Sequence, residues 1–233
     1  MVSIIIPFYN HHKYLAECLD SLYNQTVQDF EIIIVDDCSD VPLKNGDYKL
    51  ITHDNNRGVA CSCNTGLRSA QGEYIKFFDA DDIAFPKMLE WNLEAMKQGR
   101  WCVGGCQYID EDGNDIERDI ITNRFRDIEF ANLQEVALVP GFPNRSCMYE
   151  KSLLFEAGLY DERLRSGEDI EIWIRIFKIC EPVFITKKIY KYRQGSSRTR
   201  GKYLNAESEK LYQELITLRK NEGVSPQRKN III

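Results

Sequence analysis

Short apolar runs alternate with helical stripes through the first 110 residues. Residues 2–6 form an apolar run stopped by Pro7, which predicts a buried strand. Leu15, Cys18, Leu19 and Leu22 then recur at the spacing of one helix face. The run Glu31-Ile32-Ile33-Ile34-Val35 predicts a second strand, residues 48–52 a third, and Tyr74-Ile75-Lys76-Phe77-Phe78 a fourth. Residues 58–70 predict a helix closed by Gly72. Residues 86–97 predict another, with Pro86 at its start, where a missing N–H costs nothing. A further strand is expected over residues 101–109. Strands separated by helices imply an α/β fold with a mostly parallel sheet covered on both faces, and ligands beyond the carboxyl ends of its strands.

The second half is less regular. Residues 110–119 read as a polar turn, 122–141 carry no clear period, and 151–157 predict a short helix ending at Gly158. Ile170, Trp173, Ile174 and Phe177 share one face of a helix over 168–180. Residues 182–192 predict a strand and 204–220 a helix, followed by a weak tail. No repeat or linker interrupts the chain, so a single domain over 1–233 is expected, in three parts: 1–110, 111–200 and 201–233.

Two of the predicted strands end in acidic clusters. Asp79-Ala80-Asp81-Asp82 follows the fourth strand, and carboxylates at i and i+2 can converge on one hard cation, with a diphosphate filling the remaining positions. The same cluster could instead be an acidic turn capping the next helix. Asp36-Asp37 ends the second strand and offers acceptors to a nucleobase N–H or to ribose hydroxyls, or else makes an Asx turn. Glu168-Asp169 opens a helix after Gly167; acids there suit the helix dipole, and one of them could equally serve as a general base.

The composition is that of a globular chain: 43% hydrophobic and 28% charged over 233 residues, enough for a core without cross-links. Thirty Lys and Arg against 36 Asp and Glu give a net charge of −6, which argues against a general nucleic-acid binder. The balance is uneven, for residues 187–202 hold seven cations and no acid. That stretch could clamp phosphates, approach an anionic membrane or simply be solvated. Arg193 and Arg198 flank Gly195-Ser196-Ser197, a combination suited to a lid. Neither Cys61-x-Cys63 nor Cys102-x₃-Cys106 has zinc spacing. With no basic leader segment and no run long enough to cross a bilayer, the eight cysteines are expected as buried thiols in the cytoplasm. Trp91, Trp101 and Trp173 are expected in the core. Gly141-Phe142-Pro143-Asn144-Arg145 is a candidate acceptor-side loop.

Taken in order, these motifs resemble family 2 glycosyltransferases of the GT-A fold. Val2-Ser3-Ile4-Ile5-Ile6-Pro7-Phe8-Tyr9-Asn10 is similar to that family's opening strand and nucleotide-facing loop, and Asp36-Asp37-Cys38-Ser39 to its DDGS element. Asn55-Asn56-Arg57-Gly58 with Asn64-Thr65-Gly66 resembles its NxG…RNxG segment, and Gly72-Glu73-Tyr74 through Asp79-Ala80-Asp81-Asp82 its strand leading to D-x-D. Gly158-Leu159-Tyr160-Asp161-Glu162 and Gly167-Glu168-Asp169 resemble its GGFDE…GED stretch. The resemblance implies inverting transfer from a nucleotide-sugar donor, such as a UDP-sugar, to a saccharide or lipid-linked acceptor. A first, donor-binding half and a second, acceptor-binding half follow from it, with a place in surface-polysaccharide synthesis at the inner face of the membrane.

Carried over by position, Pro7, Phe8, Tyr9 and Asn10 supply backbone contacts to the nucleotide, and Asp36 and Asp37 reach the base or ribose. Asp79 and Asp81, with Ala80 between them, hold Mn²⁺ or Mg²⁺ and the sugar-nucleotide. Asp169 is the general base and Glu168 shapes its surroundings. Asn64, Arg57, Arg193 and Arg198 complete the donor contacts. Two positions depart from the pattern. Cys63 stands where the family often has Arg, leaving Arg57 as a replacement, and Gln194-Gly195 follows Tyr192-Arg193 where many members have His, so no histidine ligand to the cation is expected. A fold-retaining binding protein without catalysis and a nucleotidyltransferase remain the alternatives at this point. The oligomeric state is open.

Overall fold

The computed structural model describes residues 1–117, 144–195 and the single residue 217. Among these, nine strands join one sheet: β1 (Val2–Phe8), β2 (Phe30–Asp36), β3 (Lys49–Thr52), β4 (Tyr74–Phe77), β5 (Ile83–Ala84), β6 (Trp101–Ile109), β7 (Asp115–Ile116), β8 (Cys147–Glu150) and β9 (Val183–Arg193). The helices are α1 (His12–Tyr23), α2 (Val59–Ser69), α3 (Met88–Met96), α4 (Lys151–Glu156) and α5 (Glu168–Ile179), and a 3₁₀ turn, Asn144–Ser146, precedes β8. The strand order is β3-β2-β1-β4-β8-β6-β9-β5, with β7 on β6. The expected helix over 204–220, the stretch 122–141 and residues 141–143 of the acceptor-side loop lie outside the described residues.

The alternation of runs and stripes accounts for the first four partners. β2, β1 and β4 pair in parallel, with Ile4 opposite Ile32, and β3 adds in parallel to β2. From β4 onward the sheet is mixed, where the sequence pattern suggested a mostly parallel one. β8 enters antiparallel between β4 and β6, β5 is antiparallel to β9, and β7 to β6. These three strands are short, at two to four residues each. β6 and β9 are parallel but slip register at Gly104 and Gly105, where a side chain at Gly104 would overlap Ile189.

Helices cover both faces, which is why β1 and β2 read as unbroken apolar runs. Ile4, Ile6, Phe8, Ile32 and Ile34 pack with Leu15, Cys18 and Leu22 of α1 on one face. Ile5, Ile33 and Val35 pack with Ala60, Cys63 and Leu67 of α2 on the other, in a layer continued by Phe77, Tyr149, Ile172 and Trp173. Trp101 and Trp173 are buried, their indole N–H groups donating to the Cys180 carbonyl (3.1 Å) and the Tyr149 hydroxyl (2.7 Å). Trp91 is half-buried beneath Lys187. All eight cysteines are free thiols, six of them buried. No helix among the described residues is long and apolar enough to cross a membrane.

Lys76 is the exception in this core. It sits in the middle of β4, fully buried, and its Nζ donates to the carbonyls of Arg145 (2.7 Å) and Cys147 (3.2 Å). It thereby ties β4 to the turn before β8, and burial pushes its ammonium down to about 8.

Two outcomes are expected. Gly66 of α2 lies against Ile5 of β1 so closely that an added methyl overlaps the isoleucine side chain, so Gly66→Ala should lower stability by about 1–3 kcal/mol in denaturant titrations. Lys76 holds its proton less tightly folded than unfolded, so its cost to the native state is relieved as pH rises from about 8 to 10.5. Lys76→Met should lack this rising component, worth at most about 1.4 kcal/mol per pH unit. Unfolding free energies of both proteins across that window test it.

Candidate active site

Because β1, β2 and β4 run parallel, the loops that follow them emerge on one edge of the sheet. The loop after β1 and the turn after β2 are clasped together. Asn10, left-handed at φ 58°, accepts from the Asp40 N–H (2.9 Å) and donates through its own N–H to Ser39 Oγ (3.0 Å). Asp36 is buried and makes that turn: its Oδ1 accepts from Ser39 N–H (3.0 Å) and Ser39 Oγ (2.6 Å). The Phe8 carbonyl accepts from Asp37 N–H (2.8 Å), while its ring is buried edge-on to His12. Pro7 pairs with Val35, and Tyr9 is half-buried beside it.

Asp37 organises the next loop. Its carboxylate accepts from the backbone N–H of Arg57 (2.9 Å) and Gly58 (2.7 Å) and lies 2.7 Å from His53 Nδ1, whose Nε2 is 3.0 Å from Thr65 Oγ1. His53, buried, was not among the expected site residues, and a lone histidine after β3 gives no signal in sequence.

The acidic turn after β4 is held by two arginines from distant segments. Asp79 Oδ1 accepts from Arg145 Nε at 2.6 Å. Asp81 Oδ2 lies 3.8 Å from His11 Nδ1, and buried Asp82 accepts the backbone N–H of Arg193 at 3.0 Å. Ala80 is buried in the core and offers only backbone. Asp79 and Asp81 are on one turn, with side chains 30% and 11% exposed. That donor set fits a divalent cation that takes its remaining ligands from a substrate and water; no preformed cluster of three or more His, Cys, Asp or Glu exists among the described residues.

Three residues expected as donor contacts are engaged with protein partners in the structure. Arg193 is turned inward: its guanidinium donates to the carbonyls of Asp81 (2.9 Å), Asp110 (3.2 Å) and Glu111 (3.0 Å) and to Glu17 Oε2 (2.5 Å), and stacks on Tyr14. It is a staple for the acidic turn rather than a group presented to phosphate. Buried Asn64 spends its amide on Tyr160, accepting from its N–H (3.0 Å) and donating to its carbonyl (2.9 Å), and on Glu162 (2.9 Å). Arg57 pairs with Glu162 at 3.3 Å. The cation beside Cys63 is therefore Arg145, which bears directly on that thiol. Arg198 lies outside the described residues.

α5 brings the last pair. Gly167 takes a left-handed φ of 76° and sets Glu168 and Asp169 into the first turn. Asp169 is half-buried and its Oδ1 accepts from Ile170 N–H (2.8 Å). Glu168 is buried; desolvation first, then the Asp169 charge, push its carboxyl up to about 7, and Arg145 opposes them. Arg145, bonded to Asp79, also lies within the field of the Glu168 charge. The helix is anchored by buried Glu171, which pairs with Arg175, whose guanidinium donates to the carbonyls of Ala157 and Leu159.

With this edge described, the comparisons are specific. The family model for glycosyl transferase family 2 matches residues 3–155. The chain belongs to glycosyl transferase family 2. An uncharacterized glycosyltransferase of Rickettsia conorii is 29% identical over 214 residues, covering 85% of this chain and 35% of that protein. The uncharacterized glycosyltransferase EpsJ of Bacillus subtilis is 28% identical over 249 residues, covering 97% of this chain and 71% of EpsJ. S. aureus TarS in complex with UDP-GlcNAc superposes with a TM-score of 0.74 at 20% identity, over 95% of this chain and 66% of that one. The mannosyltransferase PcManGT of Pyrobaculum calidifontis, in complex with GDP-Man and Mn²⁺, gives 0.65 at 19% identity, over 97% of this chain and 65% of that one. The fold is that of GT-A glycosyltransferases. The chain spans only about a third of the Rickettsia relative and about two thirds of the TarS chain.

The raised carboxyl of Glu168 has a stability signature. The native state holds this proton more tightly than the unfolded chain, so the contribution is full below about pH 4.5 and lost as pH rises to about 7. Glu168→Gln should match the parent near pH 4 and exceed it at pH 8 by about 1–3 kcal/mol, read from urea unfolding at the two pH values.

Proposed function

We propose that the chain transfers a sugar from a nucleoside-diphosphate sugar, a UDP-sugar in our reading, to a hydroxyl of a saccharide or lipid-linked acceptor, with inversion at the anomeric carbon. The observation that carries this is the bond between Arg145 and Asp79 of the acidic turn, with the charges of Glu168 and Asp79 bearing on one another, at the loop edge of a family 2 chain. The presence of UDP-GlcNAc in TarS and of GDP-Man with Mn²⁺ in PcManGT supports a nucleotide-sugar donor and a divalent cation.

In this reading the clasped loops Pro7–Asn10 and Asp36–Asp37 frame the nucleoside. Asp79 and Asp81 hold Mn²⁺ or Mg²⁺, which when bound would act as a Lewis acid on the diphosphate. Asp169, the more exposed of its pair, takes the proton of the attacking hydroxyl. Buried Glu168 keeps its surroundings acidic and dry. The positive charge of Arg145 lies among these acids and offsets their repulsion. Inversion needs one displacement, so no protein nucleophile is required. The single-domain organisation over 1–233, a place in surface-polysaccharide synthesis, and contact of the basic stretch 187–202 with an anionic membrane at the cytoplasmic face complete the proposal.

The test is a thermal-shift panel of UDP, GDP, CMP and dTDP, each with and without Mn²⁺. Metal-dependent stabilisation by one nucleotide, UDP in our expectation, supports the donor site. Asp169→Asn should keep that shift and lose transfer by about a hundredfold or more, the usual worth of a general base. Asp81→Ala should lose the shift itself. A nucleotide shift without turnover of any sugar donor would indicate a binding protein instead, and release of pyrophosphate from a triphosphate a nucleotidyltransferase.

A further inference from the structure

Arg145 is built into this site more firmly than a surface cation would be. Its side chain is 7% exposed, and Lys76 pins its carbonyl from the core side at 2.7 Å. Its Nε lies 2.6 Å from Oδ1 of Asp79, one of the two carboxylates proposed to hold the divalent ion. The Glu168 and Asp79 charges both favour the guanidinium where it stands. One of its nitrogens, Nη1, is buried with no hydrogen-bond partner among the described residues. A buried Arg N–H without an acceptor costs free energy, and its bond to an anionic oxygen would be a strong, charge-assisted one.

We propose that Arg145 is an internal counter-cation that a divalent ion must displace from Asp79, so that metal and guanidinium compete for one carboxylate. This rests on the reading of Asp79 and Asp81 as the cation site. The competition keeps the acidic edge neutralised when no donor is present, and makes the metal alone a weak ligand. A nucleoside diphosphate relieves it twice over. It brings oxygen ligands for the ion, and its charge offers an acceptor to the guanidinium nitrogen that has none.

The experiment uses the full chain and Mn²⁺ alone, followed by loss of the free-ion electron paramagnetic resonance signal, and then Mn²⁺ with UDP. Arg145→Gln should bind Mn²⁺ about tenfold or more tightly than the parent, as expected for removing a charged competitor. Asp79→Asn should abolish binding in both backgrounds. UDP should strengthen Mn²⁺ binding by a larger factor in the parent than in Arg145→Gln. Melting curves establish that each variant is folded. Should Arg145→Gln fail to fold, Arg145→Lys, which keeps the charge but loses the planar fork, should shift Mn²⁺ affinity upward to a smaller extent. Unchanged or weaker Mn²⁺ binding in the folded variant, with Mn²⁺–UDP binding intact in the parent, overturns the competition and leaves the donor site standing. Absence of Mn²⁺ binding in parent and variant, even with UDP, overturns the cation reading and this inference together.

Discussion

Asp36, Asp37, Asp79, Asp81, Asp82, Glu168 and Asp169 belong to the ends of two parallel strands, β2 and β4, and the start of α5, and carboxylates gathered in this way repel one another unless something positive or hydrogen-bonding holds them. The rest of the architecture supplies those partners from far along the chain. Backbone N–H groups of Ser39, Arg57 and Gly58 hold the first pair, Arg145 holds Asp79, and the Arg193 backbone and guanidinium hold the turn from the other side. Lys76 fixes Arg145 in turn from inside the core. Remove that set of counter-charges and the strands still pair, but the edge loses its shape.

Much of this was legible in the residues. Ile32, Ile33 and Ile34 in succession require a strand with apolar neighbours on both sides, and helices are found on both. The acids at strand ends were legible for the same reason: Asp36 and Asp79 mark where apolar runs stop. Gly167 before Glu168 marked the helix start, and its left-handed φ is the physical cause. Of the three tryptophans expected in the core, Trp101 and Trp173 are buried and Trp91 is only half-buried.

What was not legible is where a side chain turns. Arg193, Asn64 and Arg57 were expected to face a donor because of their type and motif. Asn64 and Arg193 are buried on partners far away in sequence, Arg193 reaching Glu17 across 176 residues, while Arg57 makes an exposed pair with Glu162. Arg145 appeared in sequence only as the last residue of a candidate acceptor-side loop, with no sign that it would reach Asp79. Lys76 was hidden in an apolar run, where its charge looked incidental. β5 and β7, two residues each, are too short to show a period, and β8 gains its identity only from the strands on either side of it.

The way β8 is inserted bears on how this edge is assembled over time. β6 is made early in the chain, yet it touches β4 only through β8, whose residues come about forty positions later, and its long partner β9 ends at Arg193. A nascent chain that has emerged through residue 110 therefore holds four parallel strands and two orphans, β5 and β6, with its acidic turn still lacking both arginine staples. The edge closes only when the segment that ends in Arg193 has been released and threaded home. Such long-range closure is entropically slow, so the strands that present the acids are laid down well before the residues that make them tolerable to one another.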